Sequence, residues 1–415
     1  MDKKTNNWQI KKLGEVCKLK NGFAFKSDNY LDNGIPVIRI SDIKDGLIVP
    51  RNTVYVSEDS VYDNYIINEN EIIVAMSGAT TGKFGIYKSK EKAYQNQRVG
   101  KFDIIDKKQL DNNFLLHQLH SLKRQIEKDA YGGAQPNISS KKIEEMEIVL
   151  PPLETQHAIV SKIEELFSEL DKGIAELKTA QQQLKTYRQS VLKSAFEGKL
   201  TNENVKDGEL PDGWKVVQIK DVASTYGGYA FKSGEFKSQG KYQVLRMGNV
   251  RPGIVRYEES PVFLSDVEES ILNKSLLKID DVIITQTGTR KKRDYGFTTL
   301  ISKNNLLLNQ RIAAIRFNEH YSPKFFLYYS WTDTFKDQFF ANETGNVGQG
   351  NVGMKAVTET LIPFPVIKEQ HRIVQEIESR LSVADKMEQS IQESLQKAEA
   401  LRQSILKKAF CGELV

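Results

Sequence analysis

From Ile159 the apolar and small residues fall at Ile163, Leu166, Leu170, Gly173, Leu177, Ala180, Leu184, Tyr187 and Val191, alternately four and three apart. That spacing is a heptad seam sustained over more than four heptads. A second seam runs through Ile373, Ile377, Ala384, Met387, Ile391, Ala398, Leu401 and Ile405, interrupted by Arg380 and Ser394. Each segment starts just after prolines and closes at a glycine, Gly198 or Gly412, where start and stop signals of a helix belong. Acidic residues crowd the early turns of the first segment and basic ones the late turns, as the helix macrodipole favours. About 44 residues at a 1.5 Å rise give each helix a length of roughly 65 Å. A stripe so long and narrow is best buried by another helix of the same kind, so the pattern predicts an antiparallel pair. That pairing places Val415 near Met1.

The segments before the helices alternate differently. Short β-rich runs such as "IPVIRI", "EIIVAM" and "DVIITQ" are separated by Gly, Asn and Asp turns. One helical stretch follows in each half, near residues 114–128 and again near 325–340. Strands then a helix, without regular βαβ alternation, predicts an α+β fold.

The two halves repeat each other at an offset drifting from 206 to 214 residues. "FAFKS" at 23–27 returns as "YAFKS" at 229–233, and "VIRISDIKDG" at 37–46 as "VLRMGNVRPG" at 244–253. "EIIVAMSG" at 71–78 matches "DVIITQTG" at 281–288, and "NQRV" at 96–99 matches "NQRI" at 309–312. "PPLETQHAIVSKIEEL" at 151–166 matches "PVIKEQHRIVQEIESR" at 365–380, and "RQSVLKSAFEGKL" at 188–200 matches "RQSILKKAFCGEL" at 402–414. A period of about 210 residues is too long for a solenoid. Four segments follow: domains at 1–152 and 201–366, each closed by a long helix, at 153–200 and 367–415. The architecture is two similar globular domains joined by an antiparallel two-helix coiled coil with pseudo-two-fold symmetry.

Composition narrows the chemistry. At 415 residues, 39% hydrophobic and 27% charged, the chain has the make-up of a soluble protein of two or more domains. No run approaches the roughly 18 apolar residues of a membrane span, and the start lacks the apolar core of a signal peptide, so a cytoplasmic location is expected. Cys17 and Cys411 form neither a disulfide framework nor a metal cluster. The helical segments are neutral, with seven basic against seven acidic residues over 154–200 and eight against eight over 368–415, so the net charge of +5 sits in the domains.

Catalytic motifs are not found. "SGATTGK" at 77–83 resembles a phosphate-binding loop, but its glycines enclose three residues and Phe84 replaces the Ser or Thr that holds magnesium. His117 and His120 lack a third ligand and are expected on an exposed helix. "EFK" at 235–237 has the carboxylate-x-lysine form of nucleases, but its counterpart "DNY" has no lysine. Nucleophile-elbow, dinucleotide and methyltransferase (Asn/Asp)-Pro-Pro-(Tyr/Phe) motifs are absent. The basic run "RKKR" at 290–293 stands where the first copy has "TTGK", in a loop leaving a strand. Such a loop in a domain repeated along one chain suits DNA contact. Unmatched loops are where different sequences would be read.

Two such domains, each closing with a segment such as "GGAQPNIS" (132–139), then "LPPLETQHAIVSKIEEL" and a long helix ending "QSVLKSAFEGKL", resemble the specificity subunits of type I restriction-modification systems. The resemblance covers essentially the whole chain; the second junction departs from it, with Pro365-Val366 in place of a double proline. It implies target-recognition domains and a subunit without catalysis of its own, which reads a bipartite, asymmetric site on double-stranded DNA. It further implies two modification and two restriction subunits as partners, with S-adenosylmethionine, ATP and magnesium bound by them and no cofactor here. The expected DNA contacts are Lys26, Ser27, Thr80, Thr81 and Lys83 in the first domain. In the second they are Lys232, Ser233, Arg290, Lys291, Lys292 and Arg293. The repeated helix junctions and ends are expected to seat two copies of a partner through His157, Arg188, Phe196, His371, Arg402 and Phe410. A DNA-independent two-module scaffold and a self-contained restriction or modification enzyme are the competing readings. Salt-insensitive partner binding would mark the first, and turnover by the purified chain the second.

Overall fold

Runs buried on both faces make the middle strands of each domain. Ile72–Ala75 and Val282–Thr285 are buried at every position, the mark of a strand covered above and below. In the computed structural model, residues 7–415 are described, apart from 45, 49–52, 131–135, 203 and 207. Met1, the expected neighbour of Val415, lies outside them, as does part of the "GGAQPNIS" segment. The chain forms two compact units, 1–178 with 392–415, and 179–391. Each boundary falls inside a long helix.

In the first unit Ile72–Ala75 lies in a six-stranded sheet between Val99–Ile104, which pairs onward with Cys17–Asn21, and Phe84–Ile86. A second sheet joins Ile35–Ile38 in parallel to Ala93–Gln95, with Val37 opposite Tyr94. The second unit repeats both. Val282–Thr285 lies between Ile312–Phe317 and Thr298–Leu300, and Tyr242–Leu245 runs parallel to Leu306–Leu308 with Val244 opposite Leu307. An antiparallel ribbon closes each unit, Gln9–Lys12 with Glu147–Leu150 and Lys215–Gln218 with Leu361–Phe364. The units are α+β, as expected.

The helical stretch of the first unit is continuous over Asn112–Ala130. Its counterpart is not one helix, contrary to expectation: Pro323–Tyr329 stops at Ser330, and Asp333–Ala341 starts afresh. The Thr332 hydroxyl accepts the Phe335 N–H and caps the new helix, a start signal that outweighs propagation. His117 also departs from expectation, since it is only 6% exposed. Its ring packs on Phe167 at 5.8 Å between centroids, and neither ring nitrogen has a hydrogen-bond partner among the described residues. Burial first, then the neighbouring His120, pushes its pKa down from 6.5 to about 4, with Arg402 adding to the fall and Asp111 opposing it. A base whose folded pKa lies below its unfolded one is lost to the folded state as pH falls through the gap, here from 6.5 towards 4. Taking the first unit from pH 7 to pH 5 is expected to remove about 2 kcal/mol of stability through this residue. Urea unfolding should show that slope in the wild type, and His117→Phe should flatten it.

The long helices are Leu153–Phe196 and Ile367–Phe410. Both end at a left-handed glycine, Gly198 at φ 75° and Gly412 at φ 78°. In the first unit Ile159, Val160 and Ile163 share a core with Ile405, Leu406 and Ala409. In the second, Val191, Leu192 and Ala195 share one with Ile373, Val374 and Ile377. In each unit residues early in one helix meet residues late in the other, so the pairing within it is antiparallel.

Three expected seam positions face outward: Tyr187 (41% exposed), Met387 (53%) and Leu401 (51%). An α-helix drifts about 20° per heptad against a 3.5-residue repeat. Tyr187 lies four heptads beyond Ile159, and Leu401 four beyond Ile373, so each has rotated out by roughly 80° and the following residue turns in. That residue is an arginine both times. Arg188 pairs with Asp385 at 2.5 Å and Glu388 at 2.8 Å. Arg402 pairs with Asp171 and lies over the Phe167 ring, 4.4 Å from its centroid.

Candidate nucleic-acid interface

Four loops of the first unit are tied together by backbone hydrogen bonds that recur in the second. Gly22 N–H donates to Val99 O at 3.2 Å, and Phe23 N–H to Gln95 O at 2.8 Å; the counterparts are Gly228 to Ile312 at 3.0 Å and Tyr229 to Leu308 at 2.9 Å. Asn96 N–H donates to Ile38 O, and Asn309 N–H to Leu245 O, both at 3.1 Å. Met76 N–H donates to Arg98 O at 3.0 Å, and Gln286 N–H to Arg311 O at 2.9 Å. The repeated "FAFKS", "RISD" and "NQR" runs and the strand exits at 76 and 286 are therefore neighbours in space. Glycine permits the closest approach. A Cβ on Gly22 or Gly228 would fall far inside van der Waals contact with the Asn96 or Asn309 carbonyl.

Asp42 and Asn249 are buried and hold the second loop. Asp42 accepts the Arg39 N–H at 2.9 Å and Asn249 the Arg246 N–H at 3.0 Å. Asn249 also donates to the carbonyls of Arg256 at 3.2 Å and Glu259 at 2.7 Å. Arg98 and Arg311 are exposed beside these loops. Arg311 sits at φ 70°, a left-handed conformation uncommon for arginine that costs about 1 kcal/mol and is held by the bond from Gln286. In the second unit a cavity of about 490 Å³ opens among Arg246, Gly248, Asn249, Glu259, Asn309 and Arg311. Exposed arginines and amides on a preformed frame are groups that meet phosphates and base edges.

The expected contacts fall on this frame unevenly. Lys26, Ser27, Lys232 and Ser233 are exposed at the ends of the "AFKS" runs. Phe25 and Phe231 of the same runs are buried and serve packing. Lys83 is half-buried. Thr80 donates to Ile40 O at 2.9 Å, which ties the strand exit to the "RISD" turn. Thr81 corrects the expectation: it is 3% exposed, and its hydroxyl donates to Gly78 O at 2.6 Å and Pro136 O at 3.1 Å, leaving it no path to a ligand. In the basic turn Lys291 and Lys292 are exposed, Arg290 donates from Nε to Glu343 at 2.7 Å, and Arg293 lies 4.7 Å from the Phe340 centroid. Arg39, Arg98, Arg246 and Arg311 were legible only as repeated letters. "NQR" and the arginine of "VIR/VLR" recur in both copies, and that recurrence was the available signal.

Four of the six helix residues expected to seat partners, Arg188, Phe196, Arg402 and Phe410, have internal partners. Arg188 and Arg402 make the ion pairs above. Phe196 packs on Phe325 and Tyr329, at 5.0 and 5.2 Å, and Phe410 on Phe114 at 5.5 Å. The repeated helix ending closes on the opposing helix and the adjoining domain. His157 and His371 are exposed, His157 with Nε2 3.7 Å from Asp111. The buried residue of that junction is the glutamine before each histidine. Gln156 donates to Gln109 O at 2.7 Å and Pro151 O at 2.8 Å and accepts from Asp111 N–H at 2.9 Å. Gln370 donates to His320 O at 3.0 Å and Pro365 O at 2.8 Å and accepts from Ser322 N–H at 2.7 Å.

Burial pushes the Cys17 thiol up to about 12, which makes it a packing residue. Among the described residues no three His, Cys, Asp or Glu converge as metal ligands, and no helix is long and apolar enough to cross a membrane.

A duplicated α+β frame carrying two sets of arginine- and amide-bearing loops defines a two-headed DNA-recognition protein. Residues 5–179 and 211–397 match the type I restriction modification DNA specificity domain, and the chain belongs to that family. It is 26% identical to the specificity subunit of the type I restriction enzyme EcoBI of Escherichia coli, over 99% of this chain and 86% of the relative. It is 25% identical to the EcoKI specificity subunit of Escherichia coli K12, over 98% and 89%. Its fold is similar to a chain solved in a study of complex assembly and conformational transition of the type I R-M system, with a TM-score of 0.76 at 19% identity over 98% of both chains. The HsdS subunit from Thermoanaerobacter tengcongensis gives 0.57 at 19% identity, over 98% of this chain and 97% of that one. The chain is a DNA sequence-specificity subunit, a recognition component and not a catalyst.

Proposed function

We propose that each unit reads one half of a bipartite, asymmetric site on duplex DNA, and that the chain brings two modification and two restriction subunits to it. The observation that carries this reading is the four-loop cluster, whose four backbone bonds named above recur in both units while the side chains at the strand exits differ, "SGATTGK" against "TGTRKKR". A common frame with different reading residues suits two different half-sites. Matched Lys26, Lys232, Arg98 and Arg311 suit phosphate contacts, which position the protein without reading sequence. Catalysis, with its S-adenosylmethionine, ATP and magnesium, belongs to the partners, and the exposed matched His157 and His371 are candidate places for them to dock. The test replaces residues 208–365 with the corresponding domain of a relative and maps methylated sites in the assembled complex. Change at one half-site only is expected; change at both refutes one-unit, one-half-site reading.

A further inference from the structure

We propose that in the second unit a three-stranded ribbon, Thr287–Thr289, Gln349–Asn351 and Thr344–Gly345, reads base edges in the major groove, with Glu343 as its positioning residue. This rests on the reading of the second unit as a DNA head and names the part that supplies its specificity.

The ribbon is built around one carboxylate. Glu343 accepts the Tyr295 hydroxyl and the Arg290 Nε–H, the latter at 2.7 Å, with its side chain only 11% exposed. Tyr295 is itself buried at 2% exposure and lies across the strands. A Cβ on Gly350 would collide with both the Tyr295 hydroxyl and Glu343, and one on Gly288 with Tyr295 and Asp294. The glycines at these crossing points let the ring and the carboxylate lie against the backbone. The register sets Gly288 and Gly345 on either side of Gly350. Arg290 N–H reaches Gly348 O at 3.4 Å, so the basic turn and the 346–348 turn are held side by side. Asp294 accepts the Thr289 N–H at 2.6 Å, and Arg293, at φ 47°, stacks on Phe340. Two of the four basic residues are thus struts.

What remains outward is a set of reading groups. Lys291, Lys292, Asn346 and Gln349 are exposed, and Val347 between the amides is 100% exposed. Lysine suits guanine O6 and N7, the amides suit adenine N6 and N7, and an apolar tip suits the thymine methyl. A major groove about 12 Å wide admits a two-stranded ribbon, the width of Thr287–Thr289 paired with Gln349–Asn351, whose flanking turns carry the outward groups. The first unit shares the start of this pairing, Ser77 bridging Asn137 as Thr287 pairs with Asn351, but then turns at Gly78–Thr80 where the second unit continues its strand to Thr289. That difference is what two unlike half-sites require.

The test uses the full chain assembled with its modification subunits and a duplex library randomised over about two helical turns, roughly 20 base pairs, with bound molecules sequenced at two salt concentrations. Asn346→Ala and Lys292→Ala, both at exposed positions, are each expected to lower preference about tenfold at one or two adjacent positions of a single half-site. Glu343→Gln is expected to relax the same positions together while leaving the salt dependence unchanged. The proposal is overturned if the wild type selects a bipartite site and all three variants keep its full selectivity. It is equally overturned if both the lysine and asparagine variants weaken all sequences alike, with the salt slope of Lys292→Ala falling by about one, the mark of phosphate contact. A wild type that selects no sequence overturns the DNA reading itself, and the ribbon with it.

Discussion

Gly228→Ala is expected to abolish discrimination at the half-site read by the second unit while leaving the other half-site intact, and Gly22→Ala to do the reverse. The new methyl would land on the Asn309 carbonyl, which has little room to retreat. Asn309 N–H is bonded to Leu245 O at 3.1 Å, Gln310 N–H to Tyr229 O at 2.9 Å and Tyr229 N–H to Leu308 O at 2.9 Å. Relief of the clash must part the "YAFKS" loop from the "NQR" loop and break at least one of these bonds. Overpacking with a lost backbone bond costs about 2–3 kcal/mol, so the domain should fold with its loop frame sprung. Methylation mapping of both variants reads the result directly. If Gly228→Ala keeps the second half-site, the four-loop frame is not what presents the reading groups.

The second large effect is on stability. Gln370→Ala is expected to lower the unfolding free energy by about 3–5 kcal/mol, measured by urea denaturation. Gln370 is 0% exposed, and its amide serves three backbone groups from two stretches of chain, at His320 and Ser322 and at Pro365. Truncation leaves two carbonyls and one N–H without their partner, at about 1–3 kcal/mol each when water cannot enter. Gln370→Glu is the sharper probe, because a carboxylate keeps the acceptor for Ser322 but turns an acceptor towards the two carbonyls. It should be at least as damaging as alanine. An unchanged unfolding midpoint in both variants would mean that water satisfies the junction and the glutamine is not its clamp.

Gln370 and Gln156 also show how a residue hides in a readable sequence. "TQHAIV" and "EQHRIV" displayed the glutamine twice, yet the histidine beside it drew the chemistry. On a helix one step of 100° separates a buried position from an exposed one, and only the placement of the preceding loop decides which neighbour turns inward. The same angular argument moved Arg188 and Arg402 into the seam and Tyr187 and Leu401 out of it. The ribbon was legible only in part, as a basic run. Its partner strands at 344–351 lie about 60 residues further along, and no local pattern links them.

The sequence by itself determined what depends on local order and on self-comparison: the duplication, the α+β character, the two long helices with their proline starts and glycine stops, and the neutrality of the helical segments. These follow from periodicities of 2 and 3.5 residues, from φ preferences and from counted charge, none of which needs a distant partner. Tertiary structure alone decided which repeated residues are buried clamps, which arginines pair within the helices, and which loops meet in one cluster. Those outcomes depend on contacts between residues far apart in the chain, where a rotation of one position changes a side chain's partner from solvent to core.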